Sequence, residues 1–527
     1  MMTSLFNACD YLLDRHVRDG DGERLALTGP AGDVTYAQLL KRVRRTAAGL
    51  RSLGLQPEQR LMMFMSDSPE FIVVYLSAMR IGAVPVPVST MLHADGLADL
   101  LRDSRARLLA ITPEFGELAS EAIVDAPELA GVIVGGTSSV TASVPVYRLD
   151  EVSSAHGDDS AYPSTEDDPA FWLYTSGTTG APKAAMHRHG AIKVVCATYG
   201  IQVLRIRPDD RCLSAAKAFF AYGLGNSVLF PLSVGATTVL ESAPSRPDKI
   251  AERAQAFGAT LLFAGPTFFA NMLRAGLPAD ALGSTVRLAA SAGEPLQEAL
   301  YRRWTTHFGV EILDGIGMTE MLHIFLSNRE GQVRPGTTGV AVPGYDLRIV
   351  DEQGHDVPRG TPGTLLVRGD STATGYWSRY AASRQVFQGE WLRTGDTYLQ
   401  DAEGWYVCLG RTGDMLKTSG MWVSPAEVEG RLLTHDAVAQ AIVVAATDVD
   451  GLEKPIAFVM LQVGLSATED ELIEFCRDGL PSFKRPRRVI FVDAYPTTAT
   501  GKIRRVELRA MAASVLVEPA PAAGAGV

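Results

Sequence analysis

The chain has 527 residues, 46% of them hydrophobic and 21% charged, so it is too long for one ordinary core and too apolar to be disordered. Its formal net charge of -11 excludes a global positive field of the kind that holds nucleic acid or an anionic membrane surface. The five cysteines are scattered without a CxxC pair, which indicates reduced thiols rather than disulfides or structural zinc. These features predict a multidomain cytoplasmic enzyme that has neither nucleic acid nor a membrane as a partner.

The first third of the chain alternates amphipathic helices with short apolar strands. Residues 1–23 lack the basic start and long apolar run of a secretory signal and are typical of a short amphipathic helix. Thr35 begins a capping box for a helix predicted to end at Gly54, and Ser68 caps a second helix that Gly82 closes. Apolar strands follow both helices, which predicts βαβ units around a mostly parallel sheet.

The pattern of predicted strands and helices changes twice in the later part of the chain. The βαβ rhythm returns after residue 210, and glycine-punctuated short strands over residues 331–410 then predict a β-rich subdomain. Beyond them, Ser424 caps a helix in a compact α+β module. We therefore predict an α/β protein with a large N-terminal domain of stacked βαβ-type sheets over residues 1–411, of which about 331–411 form a β-rich subdomain. A small mobile α+β domain over 412–515 and a disordered tail over 516–527 are predicted to follow.

The strongest local signal is the segment YTSGTTGAPK at residues 174–183. Its glycines let the backbone approach an anion, while its hydroxyl groups and lysine supply donors. It is not a Walker loop, because Lys183 lacks the preceding glycine and is followed by alanine, and no GxGxxG motif follows a strand. The segment predicts a phosphate-binding loop with the candidate contacts Thr175, Ser176, Gly177, Thr178, Thr179 and Lys183.

This loop resembles the signature loop of the adenylate-forming superfamily of acyl-CoA synthetases, luciferases and peptide-synthetase adenylation domains. Further family motifs are matched in order by SAGEPL at 291–296, DGIGMTE at 314–320, RTGD at 393–396, the hinge segment 410–429 and PTTATGKIR at 496–504. The resemblance implies ATP, Mg²⁺ and CoA as cofactors or co-substrates. Beyond the loop, it assigns nucleotide or CoA contacts to Ala292, Gly293, Glu294, Pro295, Asp314, Gly315, Ile316, Asp396, Arg411, Lys417 and Gly420.

The chemistry that the resemblance implies requires cations at the reacting atoms. Attack of a carboxylate on the α-phosphorus of ATP brings two anions together, so positive charge must lie between them. By resemblance, Lys502 bridges both anions, Thr319 donates to the α-phosphate and Glu320 is the Mg²⁺ ligand. Asp396 would accept from the ribose hydroxyls. Arg411 would add a ribose or phosphate contact, or else an interdomain salt bridge.

The hinge segment departs from the family pattern. Gly413 stands where an acidic residue or lysine is usual, and Asp414 follows it, so either residue is a candidate pivot. The resemblance implies a swing of the small domain that withdraws Lys502 and presents residues 417–420 to a pantetheine tunnel. A basic cluster is predicted to hold the CoA phosphates or to form a solvated face, and it consists of Lys484, Arg485, Arg487 and Arg488.

Two segments predict the acid substrate. FFAYGLGN at 219–226 and GIGMTEMLHIFLSN at 315–328 resemble the segments that line the acid pocket in the benzoate-CoA ligase branch. Their flat aromatic and aliphatic walls suit benzoate, whereas a ring hydroxyl stays unpaired unless His323 reaches it. Met318 replaces the small residue that is usual there. The predicted pocket residues are Ala221, Tyr222, Gly317, His323 and Ile324.

Other functions stay open from the sequence alone. A ligase of the same mechanism for substituted benzoates or medium-chain acids would carry the same motifs. A non-catalytic nucleotide-binding regulator is a second alternative, but it should have lost Lys502, Glu320 or the phosphate loop. No carrier domain follows the lysine loop, so free CoA rather than a carrier protein is the expected acceptor. A homodimer is compatible with these features.

Overall fold

The structure, a computed structural model, covers most of the chain. The side chains of Ser176 and Lys417 are not described. The predicted site residues outside the described residues are Gly177, Thr178, Thr179, Gly420 and Lys502. The described ranges are residues 4–137, 139–176, 182–418, 421–447, 453–497 and 503–517.

The described residues up to 411 alternate helices and strands as predicted. The helices are α1 (Arg15–Arg18), α2 (Tyr36–Ser52), α3 (Pro69–Arg80), α4 (Ala94–Ser104), α5 (Gly116–Ala122), α6 (Leu149–Val152), α7 (His189–Val195), α8 (Ala221–Leu224), α9 (Phe230–Val234), α10 (Pro247–Ala256), α11 (Pro266–Arg274), α12 (Glu298–Phe308) and α13 (Tyr380–Val386). The strands are β1 (Leu25–Thr28), β2 (Val34–Thr35), β3 (Arg60–Phe64), β4 (Val84–Pro87), β5 (Leu108–Ile111), β6 (Gly131–Val134), β7 (Val146–Arg148), β8 (Pro169–Ser176), β9 (Pro182–Arg188), β10 (Arg211–Ser214), β11 (Thr237–Val239), β12 (Leu261–Ala264), β13 (Leu288–Ser291), β14 (Ile312–Gly317), β15 (Ile324–Ser327), β16 (Val340–Ala341), β17 (Asp346–Val350), β18 (Gly363–Arg368), β19 (Phe387–Gln388), β20 (Trp391–Gln400) and β21 (Tyr406–Arg411).

Two parallel sheets form the body of the large domain. Nine described strands make one sheet in the order β16-β15-β14-β13-β12-β10-β11-β1-β2, which is parallel from β14 to β1 and antiparallel at its edges. The second sheet, β4-β3-β5-β6-β7, is parallel throughout. One apolar core contains Leu61 of the second sheet together with Leu27 and Phe263 of the first. The predicted α/β class with βαβ-type sheets is confirmed.

Local signals in the sequence explain where the helices begin. The side chain of Thr35 accepts from the backbone N–H of Gln38 at 3.3 Å, which completes the predicted capping box of α2. Ser68 caps α3, with Pro69 at the first helical position. Gly54 has a φ of +81°, a left-handed conformation that glycine adopts at low cost just after a helix.

The β-rich part of the large domain starts later than the predicted residue 331. The antiparallel sheet β17-β18-β20, with β19 and β21 also paired to β20, begins at Asp346. The short strand β16 pairs instead with β15, at the edge of the nine-stranded sheet. Strand β16 therefore belongs to the nine-stranded sheet, the central sheet of the protein, although the glycine-rich sequence around it resembles that of the β-rich part.

The C-terminal module has its own apolar core. Buried Val428, Val443, Val459 and Leu472 pack together in it. Strand β21 ends at Arg411, near the predicted domain boundary. The elements that follow are β22 (Leu416–Thr418), β23 (Met421–Val423), α14 (Pro425–Leu432), β24 (Val438–Thr447), β25 (Glu453–Leu461), α15 (Glu469–Arg477), β26 (Arg488–Phe491) and α16 (Arg505–Val517), with the sheets β22-β23 and β24-β25-β26.

Two of the predicted site segments, SAGEPL and DGIGMTE, begin near the ends of strands of the nine-stranded central sheet. Strands β12, β13 and β14 are parallel neighbours, so their carboxyl ends at Ala264, Ser291 and Gly317 meet at one edge of this sheet. Ligands of open α/β sheets bind at this edge, because the loops that follow the strands converge there. Within the part of the chain that is described, none of the helices has the length and apolarity to cross a bilayer.

Asp67 links the second sheet to the segment before α8. It is buried, and its carboxylate accepts hydrogen bonds from the backbone N–H of Ala218 at 3.1 and 3.2 Å. Burial raises the pKa of Asp67 to about 6 from an ordinary value of 3.8, although the charge of Lys217 opposes the shift. Between about pH 4 and pH 6, the folded protein thus keeps a proton on Asp67 that the unfolded chain has already lost. Ionisation of Asp67 therefore destabilises the fold as pH rises from about 4 to above 6.

Asp67→Asn is expected to remove this pH dependence. Asparagine keeps an acceptor for the N–H of Ala218 but carries no charge. Relative to the parent, the variant should gain about 2 kcal/mol of unfolding free energy between pH 4 and pH 7. Urea denaturation of both proteins at the two pH values measures the difference. A variant-to-parent difference that is the same at both pH values would contradict the assignment.

Candidate active site

Most of the predicted nucleotide contacts lie around one cavity. Its volume is about 390 Å³, and it lies between the end of the central sheet and the small domain. Ala292, which directly follows β13, is buried. The sequence-predicted residues that line this cavity are Gly293, Glu294, Pro295, Asp314, Gly315, Ile316, Gly317, Asp396 and Arg411.

Asp396 and Arg411 face each other across two strands. They are register partners in β20 and β21, and Nε of Arg411 lies 3.1 Å from Oδ1 of Asp396. Arg411 also donates to the carbonyl oxygen of Thr394 at 3.1 Å. The side chain of Asp396 is 11% exposed and that of Arg411 50% exposed. The ion pair of Arg411 with Asp396 lies within residues 1–411, and the predicted ribose or phosphate contact and the alternative interdomain salt bridge both stay predictions.

Asp314 brings a buried carboxyl group to the cavity wall. Burial raises the pKa of Asp314 well above its ordinary range. Its Oδ1 has no hydrogen-bond partner among the described residues, and the same is true of Oγ of Ser291 at the end of the neighbouring strand. The hydroxyl of Ser291 lies close enough to lower the pKa of Asp314, although no hydrogen bond of good geometry joins them. Buried polar groups that lack well-formed hydrogen bonds at the carboxyl end of a sheet are typical of a ligand site.

The phosphate-loop segment lies on the hairpin of β8 and β9. Thr175 and Lys183 are opposite each other in its register. A second segment is hydrogen-bonded alongside β9, since the N–H of Trp377 donates to the carbonyl oxygen of Ala184 at 2.9 Å. This segment carries Tyr376, whose ring centroid lies 5.6 Å from Nζ of Lys183. The predicted donor Lys183 is therefore held beside an aromatic ring next to the loop.

Tyr376 joins the hairpin to Glu320. The tyrosine hydroxyl donates a short hydrogen bond to Oε1 of Glu320, which is 6% exposed. Burial, together with the nearby charge of Glu320, raises the pKa of Tyr376 well above its ordinary range, so the phenol stays a donor. Sequence reasoning missed Tyr376, because a tyrosine in a loop far along the chain carries no motif. The contact holds a carboxylate beside the segment that is bonded to the β8–β9 hairpin.

The donor set around Glu320 fits a magnesium ion that arrives with a nucleotide. No group of three or more His, Cys, Asp or Glu side chains with metal-binding geometry occurs among the described residues. Mg²⁺ is usually bound by one or two carboxylates together with substrate phosphates and water, rather than by an all-protein cage. The single buried carboxylate of Glu320, tied to the β8–β9 hairpin through Tyr376, meets the protein's part of that requirement.

The turn after β14, which bears Thr319 and Glu320, is held by a buried histidine and contains a strained backbone conformation. Nε2 of buried His187 donates to the carbonyl oxygen of Thr319 at 2.8 Å, and burial lowers the pKa of His187 to about 4, so the ring is neutral. Leu322 has a φ of +65°, and the N–H of His323 donates to the carbonyl oxygen of Met321 at 2.8 Å. This γ-turn is strained by about 1–3 kcal/mol, as backbones at functional sites often are.

His323 is enclosed by aromatic rings. Its ring centroid lies 5.2 Å from that of Tyr199, 5.5 Å from that of Tyr222 and 4.6 Å from that of Phe230. Burial lowers the pKa of His323 to about 3. Its Nε2 donates to the carbonyl oxygen of Tyr222 at 3.3 Å, which leaves Nδ1 as an acceptor without a partner among the described residues. The sequence did not indicate Tyr199 or Phe230, which reach the site from other helical segments.

The other predicted pocket residues surround this enclosure. Tyr222 donates its hydroxyl to the carbonyl oxygen of Ala290 at 2.7 Å, and half-buried Ala221 precedes it in α8. Ile324 is buried and pairs with Gly317 across β14 and β15. A Cβ atom at Gly317 would lie 2.6 Å from the carbonyl oxygen of His323, so only glycine allows this approach. Half-buried Met318 follows in the chain.

The basic cluster of the small domain is partly neutralised. Nζ of Lys484 lies 2.6 Å from a carboxylate oxygen of Glu427, and Nε of Arg488 lies 2.7 Å from one of Glu469. Arg487 is exposed. The cluster is therefore less positive than its sequence indicates.

Comparison with known proteins connects this geometry to a family. The AMP-binding enzyme model matches residues 13–377, and the AMP-binding enzyme C-terminal domain model matches residues 427–502. The benzoate–CoA ligase of Thauera aromatica is 42% identical over 511 residues, which cover 96% of each chain. The crystal structure of a benzoate CoA ligase from Burkholderia xenovorans LB400 is 41% identical and covers 96% of this chain and 100% of its own, with a TM-score of 0.89. The anthranilate CoA ligase AuaEII in complex with anthranoyl-AMP is 35% identical over 96% of this chain and 97% of its own, with a TM-score of 0.91.

Proposed function

The chain belongs to the AMP-binding enzyme family, and from that premise we propose that it is an ATP-dependent aryl-CoA ligase that acts on benzoate. Benzoate, ATP and CoA become benzoyl-CoA, AMP and pyrophosphate through a benzoyl-adenylate. The observation that carries the proposal is the single turn that bears Glu320 and His323. The side chain of Glu320 is tied to the β8–β9 hairpin through Tyr376, and that of His323 is enclosed by aromatic rings.

The adenosine part of ATP is assigned to the 390 Å³ cavity. Asp396 accepts from the ribose hydroxyls, a role that suits an acceptor-only carboxylate, and Arg411 orients it. Asp314 supplies a buried polar group beside the adenine, supported by its unpaired Oδ1. The backbone of residues 292–295 and of Gly315 and Ile316 forms the remaining walls.

The first half-reaction forms the mixed anhydride. An oxygen of the benzoate carboxylate attacks the α-phosphorus, the bond from phosphorus to the bridging oxygen breaks, and pyrophosphate leaves. Thr319 and Lys502 donate to the α-phosphate oxygens, and Lys183 with the loop hydroxyls binds the departing phosphates. Glu320 would hold Mg²⁺, which when bound neutralises charge on the phosphate oxygens. Tyr376 keeps the carboxylate of Glu320 aimed at that position.

The second half-reaction transfers the acyl group. The CoA thiol loses its proton as its sulfur attacks the carbonyl carbon, the bond from that carbon to the phosphate oxygen breaks, and AMP leaves. Rotation of the small domain, residues 412–515, withdraws Lys502 and brings residues 417–420 to the pantetheine. Within the basic cluster, Lys484 and Arg488 are already paired, so binding of the CoA phosphates is assigned mainly to Arg485 and Arg487.

The acid pocket is assigned to the region of His323 and its neighbours, and its predicted residues are Ala221, Tyr222, Gly317, His323 and Ile324. Its aromatic and aliphatic walls support a planar ring as substrate. One observation favours a second candidate, a benzoate that carries a hydroxyl or amino group. Nδ1 of His323 is an acceptor without a partner among the described residues, and such a substituent would supply the missing donor.

A panel of acids tests the substrate assignment. Acid-dependent pyrophosphate release should be measured with benzoate, hydroxybenzoates, aminobenzoates and hexanoate, each with and without CoA. We expect benzoate to exceed hexanoate by about 10-fold or more in kcat/KM, because a flexible chain fills flat walls poorly and loses conformational entropy on binding. Faster turnover of a hydroxy- or aminobenzoate would select the second candidate. Preference for hexanoate would overturn the aryl assignment.

Three further predictions belong to this proposal. They are a cytoplasmic location, free CoA rather than a carrier protein as the acceptor, and a homodimer in solution. The chemistry described above requires neither the cytoplasmic location nor the homodimer.

A further inference from the structure

Asp414 connects the interdomain segment to the last helix of the small domain. Nη2 of Arg509 in α16 donates to Oδ1 of Asp414 and, at 3.1 Å, to the carbonyl oxygen of Gly413. Nε of Arg505, one turn earlier in α16, lies 3.7 Å from Oδ2 of Asp414. The side chain of Asp414 is only 18% exposed. Two arginines on one face of α16 therefore hold a single, largely buried carboxylate just after the candidate pivot.

Arg505 extends this network into the body of the small domain. Its Nη2 lies 3.0 Å from Oε1 of Glu429 in α14, and its Nη1 donates to the carbonyl oxygen of Val443 in β24 at 2.8 Å. The same Glu429 oxygen accepts from the N–H of Val443 at 2.8 Å. Burial by itself would lower the pKa of Arg505, but the carboxylates of Glu429 and Asp414 raise it above its ordinary value. The network also borders the nucleotide cavity, which Asp414, Glu429 and Arg505 line.

Helix α16 directly follows the segment that contains Lys502. The described residues on either side of that segment are paired, since Thr497 and Ile503 form an antiparallel bridge. The N–H of Arg504 also donates to the carbonyl oxygen of Pro496 at 2.8 Å. The position of α16 thus determines where the chain leaves the lysine segment.

We propose that Asp414 is a positioning residue that fastens α16 to the interdomain segment and so holds Lys502 in place for acyl-adenylate formation. The inference rests on the proposed function, because it acts through the role of Lys502 in the first half-reaction. Asp414 lines the nucleotide cavity, but in this proposal it acts through α16 and not through a contact with the substrate.

The same contacts distinguish Asp414 from its neighbour. A Cβ atom at Gly413 would meet no atom within 4 Å, so its backbone is free to turn. The side chain of Asp414 is bound to α16, and it therefore moves with the small domain. Loss of the carboxylate should disturb the lysine segment, which adjoins α16, but not residues 417–420, which the second half-reaction uses.

The two half-reactions measured separately test this role in the full-length enzyme. Asp414→Asn should slow pyrophosphate release in a single turnover with benzoate and ATP by about 10- to 100-fold, since displacement of a reacting group by about 1 Å costs that much. Transfer from preformed benzoyl-adenylate to CoA should change by less than about 2-fold. Asp414→Glu should restore part of the first rate. Arg509→Gln, which removes the partner charge, should reproduce the split.

Arg477→Gln is the matched control. It removes an arginine from the same domain whose ion pair with Glu474 is exposed, and it should leave both half-reactions unchanged. Equal slowing of both half-reactions in Asp414→Asn and Arg509→Gln, or parental rates in both variants, would overturn the role of Asp414. A parent enzyme that releases no pyrophosphate with any aryl acid would instead overturn the proposed function, and this role with it.

Discussion

The Lys502→Ala variant is expected to form acyl-adenylate about 10²- to 10³-fold more slowly than the parent, the usual effect of losing one preorganised charge contact at a transition state. During attack, the benzoate carboxylate and the α-phosphate approach each other while both carry negative charge. An ammonium group that contacts both is worth more in the transition state than in the bound substrates, because the two anions are then closest. The variant should therefore lose kcat while its KM for ATP changes little.

Single-turnover pyrophosphate release with saturating benzoate and ATP measures this step. Transfer of the acyl group from synthetic benzoyl-adenylate to CoA should stay near the parental rate, since Lys502 is withdrawn in that half-reaction. Lys249→Ala is a suitable control, because this lysine lies in α10 and pairs with Glu252 on the surface. A folded Lys502→Ala protein that binds nucleotide and forms the adenylate at the parental rate would disprove the role given to Lys502.

Replacing Glu320 by glutamine is expected to lower the rate of acyl-adenylate formation by about 10²-fold and to raise the Mg²⁺ concentration needed for half-maximal rate. Glutamine retains an oxygen that can accept from the hydroxyl of Tyr376, so the packing of the turn is kept. What is lost is the negative charge that would bind the ion beside the phosphates. The effect should therefore appear in the Mg²⁺ titration and not in the thermal stability.

The measurement is pyrophosphate release at a series of Mg²⁺ concentrations with ATP held constant. Glu298→Gln provides the control, since this carboxylate is exposed on α12 and pairs with Arg302. If Glu320→Gln follows the same Mg²⁺ curve as the parent, then Glu320 is not the metal ligand, and its buried contact with Tyr376 has only a structural role.

The candidate site was predictable from the sequence where short segments carry its chemistry. The segment YTSGTTGAPK predicts a phosphate-binding loop because its glycines, hydroxyl residues and lysine are adjacent in the sequence. The capped helices that begin after Thr35 and Ser68 likewise depend on neighbouring residues. The α/β class followed from the same local periodicity. The family's motif order then indicated an adenylate-forming ligase, which agrees with the matches to the family models.

The contacts between distant segments were decided only by the tertiary structure. Tyr376 reaches Glu320 because its segment is hydrogen-bonded alongside β9, and Tyr199 reaches His323 because the helical segment that bears Tyr199 packs against β15, which His323 precedes. Asp414 meets Arg509 only when the last helix of the chain returns to the interdomain segment. Local sequence determines which groups a segment offers, because propensity and capping act over a few residues. Which groups face each other depends on how the whole chain buries its apolar surface, and no short pattern records that.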